Sequence, residues 1–155
     1  MEITLSKATI SDFEEIYALQ ITSFKKLLEK YKDYDFSPGS EKIAQTVQRL
    51  RNPCIEYYFI CLFEIHIGAI RIYKAGGVCK LKQIFILPEF QGEGYAQQTI
   101  LLAEGLYPNA RRWELDTIEQ EARLCHLYEK MGYIKTEKVR KVTEEMNLVD
   151  YVKLT

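Results

Sequence analysis

The segment that most constrains this 155-residue chain runs from Cys79 to Tyr107. A strand pattern over Cys79 to Leu87 ends at Pro88, the loop Gln91-Gly92-Glu93-Gly94-Tyr95-Ala96 follows, and a helical pattern continues from about Gly94 to Tyr107. Where a strand passes into a helix through glycines, the backbone turns sharply and brings successive N–H groups close to one bound group. The helix N-terminus adds unpaired donors and partial positive charge. Such a loop suits a phosphate or pyrophosphate. The chain has no Gly-Lys-[Ser/Thr], so the lysine and hydroxyl that hold nucleotide phosphates and magnesium in a P-loop are missing. In Gly92-x-Gly94-x-x-Gln97 the third glycine of the dinucleotide fingerprint is replaced. Glycine spacing alone fits a tight strand-to-helix turn equally well.

Around this segment the hydrophobic pattern places the other elements. Glu2 to Lys7 alternates as a half-buried strand. Ser11-Asp12-Phe13-Glu14 reads as a capping box opening a helix that carries Phe13, Ile16, Tyr17 and Phe24 on one face and runs toward Tyr31. After an aromatic, acidic loop from Tyr31 to Gly39, a second helix is expected from an N-cap at Ser40 to about Arg51, burying Ile43, Val47 and Leu50. Tyr57 to Phe63 and Ile67 to Tyr73 read as strands, with a hairpin turn at Ala75-Gly76-Gly77. Farther on come a strand Arg112 to Thr117, a helix from about Glu119 to Met131 capped by Gly132, and strands Tyr133 to Val139 and Asn147 to Leu154. The order β-α-α-β-β-β-α-β-α-β-β predicts an α/β (α+β) fold. Its central sheet is mixed, mostly antiparallel and of about seven strands, with helices on both faces. No linker or repeat divides residues 1–155, and at about 100 to 200 residues per domain the chain is one domain.

Charge and cysteines exclude several classes. Lys+Arg 21 against Asp+Glu 22 leaves no overall basic field to draw the chain to nucleic acid or an anionic membrane. No window approaches the ~18 continuous apolar residues of a membrane span, and Met1 to Ile10 lacks the apolar region of a signal peptide. Cys54, Cys61, Cys79 and Cys125 stand singly, a spacing that disfavours both a metal site and a disulfide framework. The expected compartment is the cytoplasm, with these thiols reduced. Exposed strand edges and the last strand, with Tyr151, leave a homodimer open.

Gln91-x-x-Gly94-x-Ala96, after a strand ending Ile86-Leu87-Pro88-Glu89-Phe90, resembles the acyl-CoA-binding motif [Arg/Gln]-x-x-Gly-x-[Gly/Ala] of the GNAT N-acetyltransferases. Leu127-Tyr128-Glu129-Lys130-Met131-Gly132-Tyr133 is similar to that family's Leu-Tyr-Glu-Lys-x-Gly-[Phe/Tyr] signature, and the element order agrees along essentially the whole chain. The resemblance implies a GNAT-like sheet, acetyl-CoA as acyl donor and no metal. It implies that backbone groups of Ile84, Phe85 and Ile86 pair with the pantetheine arm. N–H groups of Gln91, Gly92, Glu93, Gly94, Tyr95, Ala96 and Gln97 would hold the pyrophosphate, and Tyr128 would protonate the departing thiolate. The acceptor would be a small amine, a polyamine or a protein amino group, entering beside the first two helices. There Tyr31, Asp33, Tyr34 and Asp35, with Phe36, offer carboxylates and aromatic faces to a cation. Glu121 stands where many relatives carry a cofactor-contacting asparagine.

Acyl transfer to an amine needs a neutral nucleophile, a stabilised oxyanion and a proton for the thiolate. No carboxylate stands among Lys82, Gln83, Ile84, Phe85 and Ile86, where some relatives keep a general base. Glu114, Asp116 and Glu64 are the candidate bases, with Asp116 favoured because it lies near the C-terminal end of its strand; a water chain could serve instead. Tyr128 also falls with Leu124, Leu127 and Met131 at i, i+3, i+4 and i+7, which is a core-facing stripe, so packing alone could explain it. The alternative function is a non-catalytic acyl-CoA-binding sensor or regulatory module of the same fold.

Overall fold

Alternating apolar residues, a hairpin turn at Gly76-Gly77 and helices of amphipathic pattern assemble into a seven-stranded sheet covered on both faces, as seen in a computed structural model that describes residues 2–155. The strands are β1 (Ile3–Lys7), β2 (Ile55–Leu62), β3 (Ile65–Ala75), β4 (Val78–Ile86), β5 (Arg112–Ile118), β6 (Ile134–Thr143) and β7 (Met146–Leu154). The helices are α1 (Phe13–Tyr31), α2 (Ile43–Arg51), α3 (Tyr95–Leu106) and α4 (Ala122–Lys130). The spatial order is β1-β2-β3-β4-β5-β7-β6, antiparallel throughout except for β4 beside β5. The expected sheet, its mixed character and the helices on both faces are all present.

The pleat sorts the core. Tyr57, Phe59, Cys61, Ala69 and Phe85 face Ile16 and Leu19 of α1. On the other face Ile70, Ile72, Leu81, Trp113, Leu115 and Tyr151 pack with Ile100 and Ala103 of α3 and Tyr128 of α4. Close approach is strictest at Gly68, where a Cβ would lie 2.0 Å from the Phe85 carbonyl oxygen, so β3 and β4 could not pair there with any other residue.

Some boundaries differ from expectation. The first helix is entered through a 3-10 turn, Ile10–Asp12, and the cap is Thr9, whose N–H donates to Asp12 Oδ2 at 2.8 Å, not Ser11. Ser40 closes a second short 3-10 turn, Pro38–Ser40, and α2 starts after Lys42. Ile43, in its first turn, stays exposed, and Thr46 is the buried residue of α2. The last helix begins at Ala122 and not Glu119. The last strand is no edge: β7 lies between β5 and β6, with Tyr151 fully buried, and β6 forms the border. His66 stacks on Phe59 at 4.0 Å and bonds Glu15 at 2.8 Å. Among the described residues no helix is long and apolar enough to cross a membrane.

Candidate active site

The parallel ladder between β4 and β5 joins Val78, Cys79 and Lys80 to Arg112, Trp113 and Glu114 and then stops. From Leu81 onward the β4 edge facing β5 is outside that ladder. The register of β3 against β4 also skips a residue here: Arg71 faces Gln83 and Ile72 faces Leu81, leaving Lys82 as a bulge. The two strands thus form a split in the sheet, walled on one side by the residues from Leu81 to Ile86. Phe85 is buried with its ring 5.7 Å from that of Phe24, Ile86 is buried and Ile84 is half-buried, so the side chains of this wall are packed into the core.

The glycine loop follows β4 through a 3-10 turn, Pro88–Phe90. Gly92 and Gly94 take φ of +80° and +82°, and a Cβ on either would meet nothing within 4 Å. Both glycines therefore serve backbone conformation and leave open space beside the N-terminus of α3, whose first N–H groups have no intrahelical acceptor. Tyr95 is buried against the sheet and fixes that helix end, and Thr99 Oγ1 bonds the Tyr95 carbonyl at 2.8 Å. The expected donor set changes at one position. The Gln91 N–H already donates to the Pro88 carbonyl at 3.2 Å, and its side-chain Nε2 donates to the Ile86 carbonyl at 2.8 Å. Gln91 thus braces the loop against β4, and the open donors are those from Gly92 to Gln97. Backbone amides at a helix N-terminus fit a pyrophosphate.

Tyr128 lies on the inward face of α4, its residue 5% exposed, with its ring centroid 6.2 Å from that of Tyr133 and 6.4 Å from that of Tyr151. Tyr31, Tyr107, Tyr133 and Tyr151 each donate to a glutamate: Glu121, Glu56, Glu104 and Glu129 in turn. Tyr128 has no such carboxylate partner among the described residues. Burial, and after it the charges of Asp116 and Cys125, push its pKa upward. A phenol so placed stays protonated at neutral pH and has a proton to give.

The candidate bases separate. Glu114 is bonded to Arg112 Nε at 2.6 Å and has Lys80 at 3.8 Å. Glu64 is exposed in the turn between β2 and β3. Asp116 is exposed, pairs with Arg140 at 3.6 Å, and is close enough for its charge to act on both Tyr128 and Lys82. Of the three, it alone is coupled to Tyr128.

In the loop after α1 the expected cation-binding residues part company. Asp33 is 6% exposed and accepts the Phe36 N–H at 3.1 Å, so it caps a turn from inside. The Tyr31 hydroxyl and Lys30 Nζ both reach Glu121 Oε2 at 2.5 Å, tying the end of α1 to the start of α4. Tyr34 and Asp35 remain exposed and, with Phe36, Glu41 and Lys42, line a cavity of about 310 Å³. Sequence reading missed a row of buried polar side chains across the sheet, Tyr57, Arg71 and Gln83. An arginine between Ile70 and Ile72 in an apolar strand was the visible signal.

Structures of the same architecture include an acetyltransferase from Thermus thermophilus, 14% identical, with TM-score 0.76 and coverage of 100% of this chain and 98% of that one. The PaiA N-acetyltransferase of Thermoplasma acidophilum, solved with coenzyme A, is 18% identical with TM-score 0.69 and full coverage of both chains. The spermidine/spermine N-acetyltransferase SpeG of Vibrio cholerae, solved with manganese ions, is 18% identical with TM-score 0.70, covering 99% of this chain and 92% of that one. Among curated proteins no sequence matches significantly. The family described as Acetyltransferase (GNAT) matches residues 13–133, from the start of α1 past the glycine loop to Tyr133. With both signature segments inside that match and a sheet split between β4 and β5, the chain belongs to the GNAT acetyltransferase family.

Proposed function

We propose that this acetyltransferase moves the acetyl group of acetyl-CoA to a primary amine by direct attack, with Tyr128 as the general acid for the CoA thiolate. The reading is carried by the β4 edge left unladdered beyond Lys80, and two further features support it: the open amides of Gly92 to Gln97 in the loop that follows β4, and a buried, protonated Tyr128 on α4. The β4 edge from Ile84 to Ile86 suits the amide-bearing pantetheine arm, and the loop suits the pyrophosphate without help from a charged side chain. Gly92, Glu93, Gly94, Tyr95, Ala96 and Gln97 contribute backbone only; Gln91 supports the loop. Three neighbours named as acetyltransferases, one of them crystallised with coenzyme A, support the donor, and the neighbour named for spermidine and spermine supports an amine acceptor.

In this reading the acceptor enters from the α1 and α2 side as an ammonium and loses a proton to Asp116 or to water held by it. The amine nitrogen then attacks the thioester carbonyl. A C–N bond forms, the C–S bond breaks, the nitrogen sheds its second proton to solvent, and the thiolate takes the Tyr128 proton, which solvent restores. The free acceptor ammonium, with a pKa near ~10.4, sets how much nucleophile exists at neutral pH. The same reading places the enzyme in the cytoplasm, where its four unpaired cysteines stay reduced.

Calorimetric titration with acetyl-CoA, CoA and ATP, followed by a thiol-release assay over a panel of amines, tests the proposal. Acetyl-CoA and CoA should bind in the micromolar range and ATP should not. Tyr128→Phe should lower kcat more than tenfold while CoA affinity stays within about twofold. Undiminished kcat in that variant would remove the assignment of Tyr128. Absence of CoA binding would return the glycine loop to a structural turn.

A further inference from the structure

Tyr57, Arg71 and Gln83 stand side by side across β2, β3 and β4 beneath α1 and α2, at 1%, 7% and 8% exposure. Their polar atoms are unsatisfied: Tyr57 Oη, Arg71 Nε and Gln83 Oε1 are buried without a hydrogen-bond partner. From α1 above them Gln20 Oε1 and Ser23 Oγ are in the same condition. Each such atom keeps an uncompensated desolvation penalty unless something bonds it. The charges do not balance either. Glu41 accepts from both terminal nitrogens of Arg49, at 2.7 and 2.8 Å, and from Gln20 Nε2 at 2.7 Å, so its direct ion pair is with Arg49. Among the described residues no carboxylate is ion-paired with Arg71. Glu41 is near enough for its charge to reach Arg71, but it is in direct contact with Arg49, so two guanidiniums share one carboxylate and the more deeply buried Arg71 has no anion in contact.

Position connects this deficit to the acyl split. Gln83 lies on the stretch of β4 beyond the last rung with β5, immediately after the Lys82 bulge. The anion that Arg71 lacks therefore belongs at the floor of the face where an acceptor would approach. The Arg71 Nε–H and the Tyr57 hydroxyl are donors that match the two oxygens of a carboxylate, Gln83 can add only its Nε2 amide donor, and the one cation without a contacting anion matches the single charge. A polyamine would bring further positive charge toward Arg71 and the neighbouring Lys82.

We infer that Arg71, with Tyr57 and Gln83, binds a carboxylate carried by the acceptor, so that the acceptor is an amino acid or another amine bearing a carboxylate, and not a simple polyamine. This rests on the transferase reading above and narrows its acceptor. The test uses pairs that differ by one carboxylate: free lysine and cadaverine, ornithine and putrescine, phenylalanine and phenethylamine. Thiol release from acetyl-CoA gives kcat and KM for each, and calorimetry on the CoA complex gives binding of the same six compounds. The carboxylate-bearing member of at least one pair should show a kcat/KM more than tenfold above its partner. Arg71→Met should collapse that ratio toward one through KM, and Arg71→Lys should restore part of it. A purely structural Arg71 would lower Tm and shift both members of a pair alike. If Arg71→Met does not fold, Gln83→Leu and Arg71→Lys read the same ratio. Turnover with no preference for the acid, or with preference for the plain amine, overturns this inference and leaves the transferase standing. Carboxylate-dependent binding without turnover does the reverse. If none of the six compounds is bound or acetylated, the inference also falls.

Discussion

At Tyr128, burial keeps the phenol protonated but makes it a weaker acid, so its proton can pass to the thiolate only as the C–S bond breaks, from a positioned donor. Its pKa is raised, first by desolvation and then by Asp116 and Cys125, so the phenol remains protonated beyond its ordinary value near ~10. The pH profile of kcat/KM should therefore rise with deprotonation of the free acceptor amine and show no falling limb from Tyr128 below pH ~10. A descending limb near pH 8 that vanishes in Tyr128→Phe would contradict this placement. Gly94 is the second residue whose role is separable. At φ of +82° an alanine costs roughly 1–2 kcal/mol in backbone strain, yet its Cβ would enter open space, not a clash. Gly94→Ala should lower Tm modestly and weaken CoA binding more than tenfold, because that open space is where the phosphates are proposed to lie. Unaltered CoA affinity alongside the lowered Tm would show that the glycine serves only the turn.

Between elements, charge does much of the joining. Glu56 on β2 accepts Lys7 of β1 at 2.8 Å and the hydroxyl of Tyr107 at the end of α3, with Lys74 of β3 at 3.4 Å. Burial alone would raise its pKa, but the hydrogen bonds from Lys7 and Tyr107 outweigh that and hold it at about 2. A folded-state pKa below the unfolded value of ~4.3 contributes stability above that pH and loses it as pH falls toward 2. Because Lys7 is well exposed, the contribution is on the order of 1–2 kcal/mol. Glu56→Gln should therefore be less stable than wild type in urea at pH 7, with the gap closing near pH 2. Parallel stability curves would place the shift elsewhere.

The elements also show what a sequence can and cannot disclose. All seven strands and four helices follow from periodicity and turn residues, although the border strand β6 buries no residue. The cap at Thr9 was missed because Thr9 with Asp12 and Ser11 with Glu14 satisfy the same spacing, and only the fold selects between them. Asp33 looked like a cation ligand because nothing local reveals that the loop folds it inward onto the Phe36 N–H. The two signature segments made the glycine loop and Tyr128 legible. The tether from Glu121 to Lys30 and Tyr31 joins residues 90 or more apart in sequence, which no spacing rule anticipates. The row of Tyr57, Arg71 and Gln83 exists only through strand register, since the three residues sit on three separate strands.

For the molecule as a whole, the central sheet is two half-sheets, β1 to β4 and β5 to β7, held by a parallel ladder of three residue pairs and by helices laid over both faces. A donor seated between β4 and β5 would contact both halves and bind only the folded chain. At a hundredfold excess over Kd such a ligand adds about 2.7 kcal/mol. For a domain of this size that raises Tm by roughly 5–10 °C. Acetyl-CoA and CoA should give that shift and ATP should not. Hydrogen exchange locates the cause: slowing should concentrate in residues 81–86, 115–118 and 92–97, the two walls of the split and the glycine loop. Stabilisation accompanied by slowing in 92–97 alone would mean that the phosphates bind while the arm lies outside the split. In that case the general-acid role of Tyr128 would lose its geometric basis, since only an arm running between the half-sheets would carry the thioester toward α4.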